Sequence, residues 1–240
     1  MLVFSLLRDS NLTGGISTKV DGNIDLRFGR PKDVGRSRAR FFKSLETDSG
    51  KIVEAQQVHK TNVVRVGKRQ GGNIIPDADG MITNDHEVVL MLRVADCIPI
   101  FLFDPENTAI GLVHSGWKGT MGKIVLVAIQ RMMLEFKTNP ARLLVALGPS
   151  IGKCCNIWKD PPLQLQLPEW SPFIRQTANQ YALDLPGFVN ETARNAGVKQ
   201  ANIEVSSACT VMDQSLFSFK RSKETTEPEG RFAAVIGLLA

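Results

Sequence analysis

One segment of this chain, Val94–Gly119, constrains the fold more than any other. It contains two apolar runs, Ile98–Phe103 and Ala109–Val113, and the letters between them, DPEN, are residues that favour tight turns. The pattern predicts an antiparallel hairpin. In such a hairpin Cys97, just before the first strand, lies close to His114, at the end of the second. A thiol and an imidazole are therefore expected at one edge of a sheet.

The residues after His114 predict a turn from a strand into a helix. The sequence SGWKG follows the histidine, and apolar residues then recur at helical spacing, which predicts a helix over Gly119–Lys137. The exposed amides at the start of a helix favour anions. We therefore expect an anion to bind close to His114.

Apolar periodicity predicts the remaining elements. Helices are expected over 32–45 and 188–196, and strands over 52–58, 63–66, 88–94, 143–147, 203–206 and 232–239. The Pro- and Gln-rich stretch 156–172 is expected to be an irregular excursion. A length of 240 residues is enough for one large domain, and we expect a single domain over residues 1–240.

Composition and charge narrow the class of protein. Hydrophobic residues make up 43% and charged residues 22%, which is typical of a soluble globular protein. The net charge of +5 is spread along the chain and aromatic residues are few, which argues against nucleic acid as a partner. The longest apolar zone, 88–103, is interrupted by Arg93, Asp96 and Pro99, so no membrane span is expected.

The cysteines indicate a reducing compartment. There are four, and Cys154 and Cys155 are adjacent, so the chain is not a disulfide scaffold. The apolar stretch Met1–Leu7 has no basic residues before it and no cleavage site, so no signal peptide is expected. We therefore expect a cytoplasmic protein.

A serine-hydrolase pattern is present but is in the wrong chain order. Residues 148–152 read GPSIG and match the nucleophile-elbow pattern of α/β-hydrolases. That class needs its histidine after the serine, whereas the last histidine here is His114. We interpret 148–152 as a loop.

Three residues remain as candidates for chemistry: His59, Cys97 and His114. His59 follows a predicted strand, whereas the third histidine, His86, lies in a polar loop. One thiolate and two imidazoles suffice for catalytic zinc, because the fourth tetrahedral position stays open. Two other interpretations stay open on spacing alone. The residues are structural and hydrogen-bonded, or Cys97 is a nucleophile activated by a histidine.

Eight segments, in chain order, resemble the signatures of one family. They read GGIS (14–17), QVHK (57–60), DADGMIT (77–83), VADCIPIFLFD (94–104), VHSGWKG (113–119), LGPSIGKCC (147–155), ACT (208–210) and FSFKR (217–221). This set resembles the laccase-domain family, once described as multicopper polyphenol oxidases and now understood as zinc-dependent purine nucleoside phosphorylases with adenosine deaminase activity. The resemblance covers nearly the whole chain.

The resemblance implies a fold, a cofactor and a reaction. The fold is a single layered α-β-β-α domain of the α/β class with mixed sheets, and the protein is a monomer. Zn²⁺ is held by His59, Cys97 and His114, which also form the catalytic set. The substrates are a purine nucleoside, adenosine above all, and inorganic phosphate, which attacks the ribose C1′ to give adenine and ribose 1-phosphate. Copper oxidation is disfavoured, because multicopper sites need many histidines and this chain has three.

Several further residues are assigned beside this set. Lys118 is expected to attract phosphate and Arg221 to contact the substrate. Trp117 either stacks on the purine or packs in the core. Lys220 and Arg231 are further candidates for phosphate. Asp96 either orients a ligand histidine or caps a turn, and Cys209 is expected near the site or as a buried thiol.

The chain departs from the family pattern at four places. The sequence NLT (11–13) replaces an arginine before the GG pair, Lys118 replaces arginine, Lys60 replaces glycine and Asn156 replaces tyrosine. Lysine keeps the charge of arginine but loses its bidentate geometry. These changes motivate the alternative of a non-catalytic descendant that binds a metal or a nucleotide. A Cys-His hydrolase is the other alternative.

Overall fold

The structure is a computed structural model that describes residues 2, 4–8 and 11–239. Its strands are β1 (Leu12–Ile16), β2 (Ile52–Ala55), β3 (Val63–Arg65), β4 (Ile74–Ile75), β5 (Gly80–Thr83), β6 (Val89–Val94), β7 (Ile98–Asp104), β8 (Ala109–Ser115), β9 (Leu144–Leu147), β10 (Ile157–Trp158), β11 (Ile174–Gln176), β12 (Tyr181–Leu183), β13 (Ile203–Val205) and β14 (Phe232–Leu238). Its α-helices are α1 (Pro31–Ser44), α2 (Trp117–Met121), α3 (Ile124–Phe136), α4 (Leu185–Asn195) and α5 (Phe219–Glu224).

The predicted hairpin forms the middle of a six-stranded sheet. Strands β7 and β8 pair antiparallel, with Ile98 opposite Ser115 and Asp104 opposite Ala109. The sheet order is β13-β9-β7-β8-β5-β3, and both outer pairs are parallel. All seven residues of each hairpin strand are buried, as expected of strands covered on both faces.

A second mixed sheet has the order β1-β14-β6-β2-β4. The first three strands pair antiparallel, and β6, β2 and β4 run parallel. A separate three-stranded sheet, β10-β12-β11, lies within and after the Pro- and Gln-rich stretch. That stretch otherwise contains 3₁₀ turns at 163–166 and 168–173, so the expected irregular excursion is confirmed.

Alternation of side chains along β7 explains how the two large sheets stack. Ile100 and Leu102 pack into a core shared with α3 and α4, whereas Phe101 and Phe103 face the core between the two sheets. On the outer face of the five-stranded sheet, α1 packs with Phe41 and Phe42 against Met91 and other strand residues. The layers are therefore helix, sheet, sheet and helix, and the predicted α/β class with mixed sheets is confirmed.

Two predicted elements differ from the structure. The expected helix over 119–137 is two helices, because Lys123 adopts a left-handed backbone with φ of 55° between α2 and α3. The strand expected over 52–58 ends at Ala55, because Gln57 (φ 62°) and His59 (φ 60°) also have left-handed backbones.

Part of the apolar N-terminal stretch lies outside the described residues, and the search for a membrane-spanning helix covers the described residues alone. Met1 and Val3, in the apolar N-terminal stretch, lie outside the described residues. Across residues 2, 4–8 and 11–239, no helix combines the length and the apolar character that crossing a bilayer requires.

Candidate metal centre and active site

The structure brings His59, Cys97 and His114 together. One ligand atom from each of the three residues lies within 4.8 Å of the other two. The histidine rings meet edge to face, with centroids 4.8 Å apart and an interplanar angle of 89°. His114 is buried, Cys97 is half-buried and His59 is exposed, so the group is open on the His59 side.

The hairpin accounts for two of the three positions. Cys97 immediately precedes β7, and His114 lies near the end of β8 opposite Pro99. His59 comes from the other sheet, on the turn after β2. The left-handed backbone of His59 is uncommon for a residue with a side chain, and such strain persists where surrounding bonds impose it.

Those surrounding bonds come from Asp79, which is fully buried. Its carboxylate accepts the backbone N–H groups of Val58, His59 and Lys60 at 3.2, 2.9 and 2.7 Å. It also lies 2.9 Å from Nδ1 of His114. Asp79 therefore fixes both histidines at once, one through its backbone and the other through its ring.

The contact with Asp79 sets the tautomer of His114. A carboxylate can only accept, so Nδ1 carries the proton and Nε2 is left for the cluster. Burial favours a raised pKa for Asp79, but hydrogen bonds from His114 and from the Lys60 and His59 amides hold that pKa below its usual value. A carboxylate behind a ligand histidine is the usual second layer of protein zinc sites.

Cys97 and His114 form a charged pair. Burial opposes ionisation of both, yet the imidazolium of His114 lowers the pKa of the Cys97 thiol to about 6. In return, the thiolate and then Asp79 raise the pKa of His114 to about 9. In the metal-free protein the second proton of the imidazolium, on Nε2, occupies the position of a metal ion. A bound metal would displace this proton and keep the thiolate.

Gly116 supplies the space beside the three ligands. A Cβ at this position would lie 3.1 Å from the Cys97 sulfur and 3.1 Å from Cδ2 of His59. A side chain there would press on two ligands at once. Two imidazoles and a thiolate around such a space match the donor set of a three-ligand zinc site.

The helix directly after His114 is shorter than predicted, and the anion expected beside His114 stays a prediction. The helix after His114, α2, is a single turn of five residues, and the longer α3 begins only at Ile124. The Gly116 carbonyl accepts the amide and the hydroxyl of Thr120 at 2.8 and 2.9 Å, which closes this single turn.

Trp117 and Lys118 follow the cluster directly. Trp117 is half-buried, packs against the core and meets Trp158 edge to face with ring centroids 5.6 Å apart. Lys118 is exposed, and its Nζ lies 5.4 Å from the centroid of the Trp117 ring. Both residues are therefore near His114 in the chain, with the ammonium group on the solvent side.

The side chain of Arg221 is hydrogen-bonded to partners in its own part of the chain. Its guanidinium is buried, pairs with Glu227 and donates to backbone carbonyls of 210, 211, 213 and 216. Lys220 pairs with Glu224 at 2.6 Å, and Arg231 pairs with Glu229 at 3.0 Å. A phosphate would compete with these partners for each of the three cations.

Asp96 caps a helix instead of orienting a histidine. Its carboxylate accepts the Thr210 hydroxyl at 2.6 Å and the Lys220 amide at 2.7 Å, at the start of α5. This is the turn-capping alternative, and it ties the segment after β13 to the residue next to Cys97. His86 lies apart from the cluster, where Nδ1 contacts the Leu239 carbonyl at 2.7 Å.

Sequence reasoning did not assign a role to Asp79. The residue lies in the segment DADGMIT, and its neighbour Asp77 is exposed, whereas Asp79 has no solvent exposure. The available signal was a carboxylate followed by the apolar strand β5, because an aspartate at the start of a buried strand needs a partner.

Comparisons with known proteins agree with this geometry. Residues 10–239 match the sequence family described as multi-copper polyphenol oxidoreductase laccase, and the chain belongs to this family. Purine nucleoside phosphorylase YlmD of Geobacillus stearothermophilus is 34% identical, covering 93% of this chain and 89% of that protein. Purine nucleoside phosphorylase YlmD of Bacillus subtilis is 30% identical, covering 94% and 85%. The crystal structure of YlmD from Geobacillus stearothermophilus superposes with a TM-score of 0.89 at 30% identity, covering 96% of this chain and 93% of that one.

Proposed function

We propose that this chain is a zinc-dependent purine nucleoside phosphorylase that converts adenosine and phosphate to adenine and ribose 1-phosphate. The observation that carries the proposal is the convergence of His59, Cys97 and His114 on Gly116, with Asp79 behind His114. Relatives that carry the name purine nucleoside phosphorylase match over most of the chain, which supports the reaction class.

His59, Cys97 and His114 would hold the zinc ion, and Asp79 would keep the two histidines oriented. Bound zinc supplies a positive charge and an open Lewis-acid position for an anion at neutral pH. Lys118 adds a second positive charge on the solvent side and attracts phosphate. Trp117 offers an aromatic face to the purine base.

In phosphorolysis a phosphate oxygen attacks the ribose C1′ and the glycosidic bond to the purine breaks. The contribution of this chain is to hold phosphate beside the sugar. The assignment of Arg221 to substrate binding stays a prediction. Its guanidinium would reach phosphate only by giving up Glu227 or a backbone carbonyl.

A cysteine hydrolase is a second candidate because of one specific observation. The thiolate of Cys97 and the imidazolium of His114 are the ion pair that nucleophilic cysteine chemistry requires. The two candidates differ in metal dependence, because a chelator abolishes the zinc reaction and exposes the nucleophile of a hydrolase. Multicopper oxidation is not proposed, since the chain contains three histidines and one of them, His86, lies apart from the cluster.

The test is to incubate zinc-loaded protein with adenosine, with and without inorganic phosphate, and to quantify adenine, ribose 1-phosphate and inosine. We expect adenine and ribose 1-phosphate in equal amounts, only with phosphate. Inosine formed without phosphate would measure the deaminase activity that the family resemblance implies. Metal bound at one ion per chain with no turnover of any nucleoside would favour the non-catalytic alternative.

A cytoplasmic location, a monomeric state and one domain over residues 1–240 also belong to this proposal. The four free cysteines support the reducing compartment. The shared core between the two large sheets supports one folding unit. Sedimentation of the purified chain tests the monomeric state directly.

A further inference from the structure

The three cysteines outside the proposed active site form a cluster of their own. Cys154, Cys155 and Cys209 have their sulfur atoms within 4.8 Å of one another, and the sulfurs of Cys154 and Cys155 are 3.5 Å apart. All three are free thiols. Cys154 is exposed and the other two are half-buried, so the cluster is open to solvent on one side.

Two loops from distant parts of the chain build this cluster. The loop after β9 meets the segment after β13 through a parallel bridge between Ser150 and Cys209, where the Thr210 amide donates to the Ser150 carbonyl at 3.0 Å. Gly152 lies between the sulfurs, because a Cβ there would be 3.3 Å from the Cys154 sulfur and 3.5 Å from the Cys209 sulfur. A side chain at this position would therefore crowd two of the thiols.

One backbone amide points at the Cys209 sulfur. The Gly152 amide donates to it at 3.3 Å, whereas the Met212 amide donates to the Cys209 carbonyl at 3.0 Å. Amides that donate to sulfur stabilise a thiolate, and thiolates are the form that binds metal ions.

We propose that Cys154, Cys155 and Cys209 form a second metal site, which takes a thiophilic d¹⁰ cation such as Zn²⁺ or Cu⁺. With Zn–S bonds of about 2.3 Å, sulfurs at neighbouring tetrahedral corners are about 3.8 Å apart. The observed separations, from 3.5 Å to no more than 4.8 Å, bracket that value. Soft thiolate ligands select Zn²⁺ and Cu⁺ over Mg²⁺ or Ca²⁺.

Metal binding accounts for all three thiols, whereas a disulfide does not. A disulfide between the adjacent residues Cys154 and Cys155 is strained. A disulfide from Cys209 to one of them leaves the other thiol without a partner. The three free thiols lose their protons when they bind a metal ion. A bound cation replaces these protons, and the exposed side beside Cys154 leaves its fourth position open.

The test uses the variant Cys97→Ser, because its only remaining thiols are those of the cluster. Cadmium ion is titrated into the reduced full-length variant, and the ultraviolet charge-transfer band of Cd–thiolate bonds is recorded. We expect a band that saturates at one equivalent. Adding Cys209→Ala or Cys154→Ser should lower the saturated band by about a third and weaken binding, since one of three sulfur ligands is removed.

The matched control is Met212→Leu in the same Cys97→Ser background. Met212 is an exposed sulfur residue of the same segment, and leucine keeps its backbone amide. This variant should titrate unchanged. A band that fails to saturate at one equivalent, or that neither cysteine substitution alters in folded protein, would overturn the second site. Because Cys154→Ser alone leaves the His-Cys-His group intact, nucleoside turnover by that variant reports on the proposed function independently.

Discussion

Among the residues that the structure describes, two groups of three side chains could each hold a metal ion, and they are built in different ways. His59, Cys97 and His114 combine nitrogen and sulfur donors, and a buried carboxylate, Asp79, stands behind them. The second cluster contains sulfur alone, and the group behind it is the backbone amide of Gly152. Equal spacing of ligands therefore does not imply equal chemistry.

The difference lies in which charge the surroundings stabilise. Asp79 is negative and favours the protonated or metal-bound imidazole of His114, so the first cluster is polarised before a metal binds. The Gly152 amide is a donor and favours thiolate at Cys209. The first arrangement suits a catalytic metal ion with an open coordination position. The second suits a metal ion that is held by the negative charge of thiolates.

Removing a ligand of the first cluster should give the largest effect. Cys97→Ala deletes the only sulfur among the three ligands, so we expect phosphorolysis to fall on the order of 1000-fold and zinc at this site to be lost. Initial rates of adenine release measure the effect. Cys154→Ser is the control from the other cluster and should keep full activity; equal losses in both variants would contradict the assignment of roles.

Asp79→Asn tests the carboxylate behind the histidines. Asparagine keeps the size of the side chain but loses the charge that orients His114, and we expect zinc affinity and turnover to drop about 10- to 100-fold. Competition with a chelator measures the affinity. Asp77→Asn is the matched control, because Asp77 lies in the same segment, is exposed and pairs only with Lys60 among charged side chains. If both variants bound zinc as the wild type does, Asp79 would have no role in orientation.

Gly116→Ala tests the space between the ligands. The new Cβ would lie 3.1 Å from both the Cys97 sulfur and Cδ2 of His59, so the ligands must move apart by a few tenths of an ångström. We expect zinc affinity to fall about tenfold with the fold retained. Gly35→Ala in α1 is the control, since a Cβ there meets nothing within 4 Å. Unchanged zinc affinity in Gly116→Ala would show that the three side chains do not bind zinc beside Gly116.

The smallest effect is expected at the ion pair between Arg221 and Glu227, which holds the segment that contains Cys209. Arg221 donates to carbonyls of that segment and its contact with Glu227 lowers the pKa of Glu227 from 4.5 to about 2. A lowered folded-state pKa gives stability that is present above pH 4.5 and is lost as the pH falls toward 2. Glu227→Gln should therefore remove about 1 kcal/mol near neutral pH and less at low pH.

Urea unfolding near neutral pH and at about pH 3 measures this difference. Glu224→Gln is the control, because Glu224 forms an exposed pair with Lys220 on one helix. Equal losses of stability at both pH values in Glu227→Gln would contradict the predicted role of the Arg221–Glu227 pair.

The sequence allowed part of the site to be predicted. The turn between two apolar runs was sufficient to place Cys97 and His114 at one sheet edge, because register follows from the turn. His59 belongs to the other sheet, so local pattern could not bring it there, and the family resemblance supplied it. Asp79 was missed because its partners, the amides of residues 58–60 and the His114 ring, come from distant parts of the chain. Its position before a buried strand indicated that it needs a partner, but not which one.

The errors in the fold have related causes. Left-handed residues at Lys123 and Gln57 interrupt elements whose apolar pattern continues past them. Lysine and glutamine carry no local signal for that backbone, in contrast to glycine. The layers themselves were predictable, because alternation along β7 requires a core on each face.

Phosphorolysis as proposed needs one zinc ion in the His-Cys-His group. The most direct test is to titrate zinc into metal-free Cys154→Ser/Cys209→Ser protein, which lacks two of the three thiols of the second cluster, and to follow phosphate-dependent adenine release. We expect no release without zinc, and a rise that ends sharply at one equivalent. Full activity of the metal-free protein, or none at any zinc level in folded protein, would contradict the proposal.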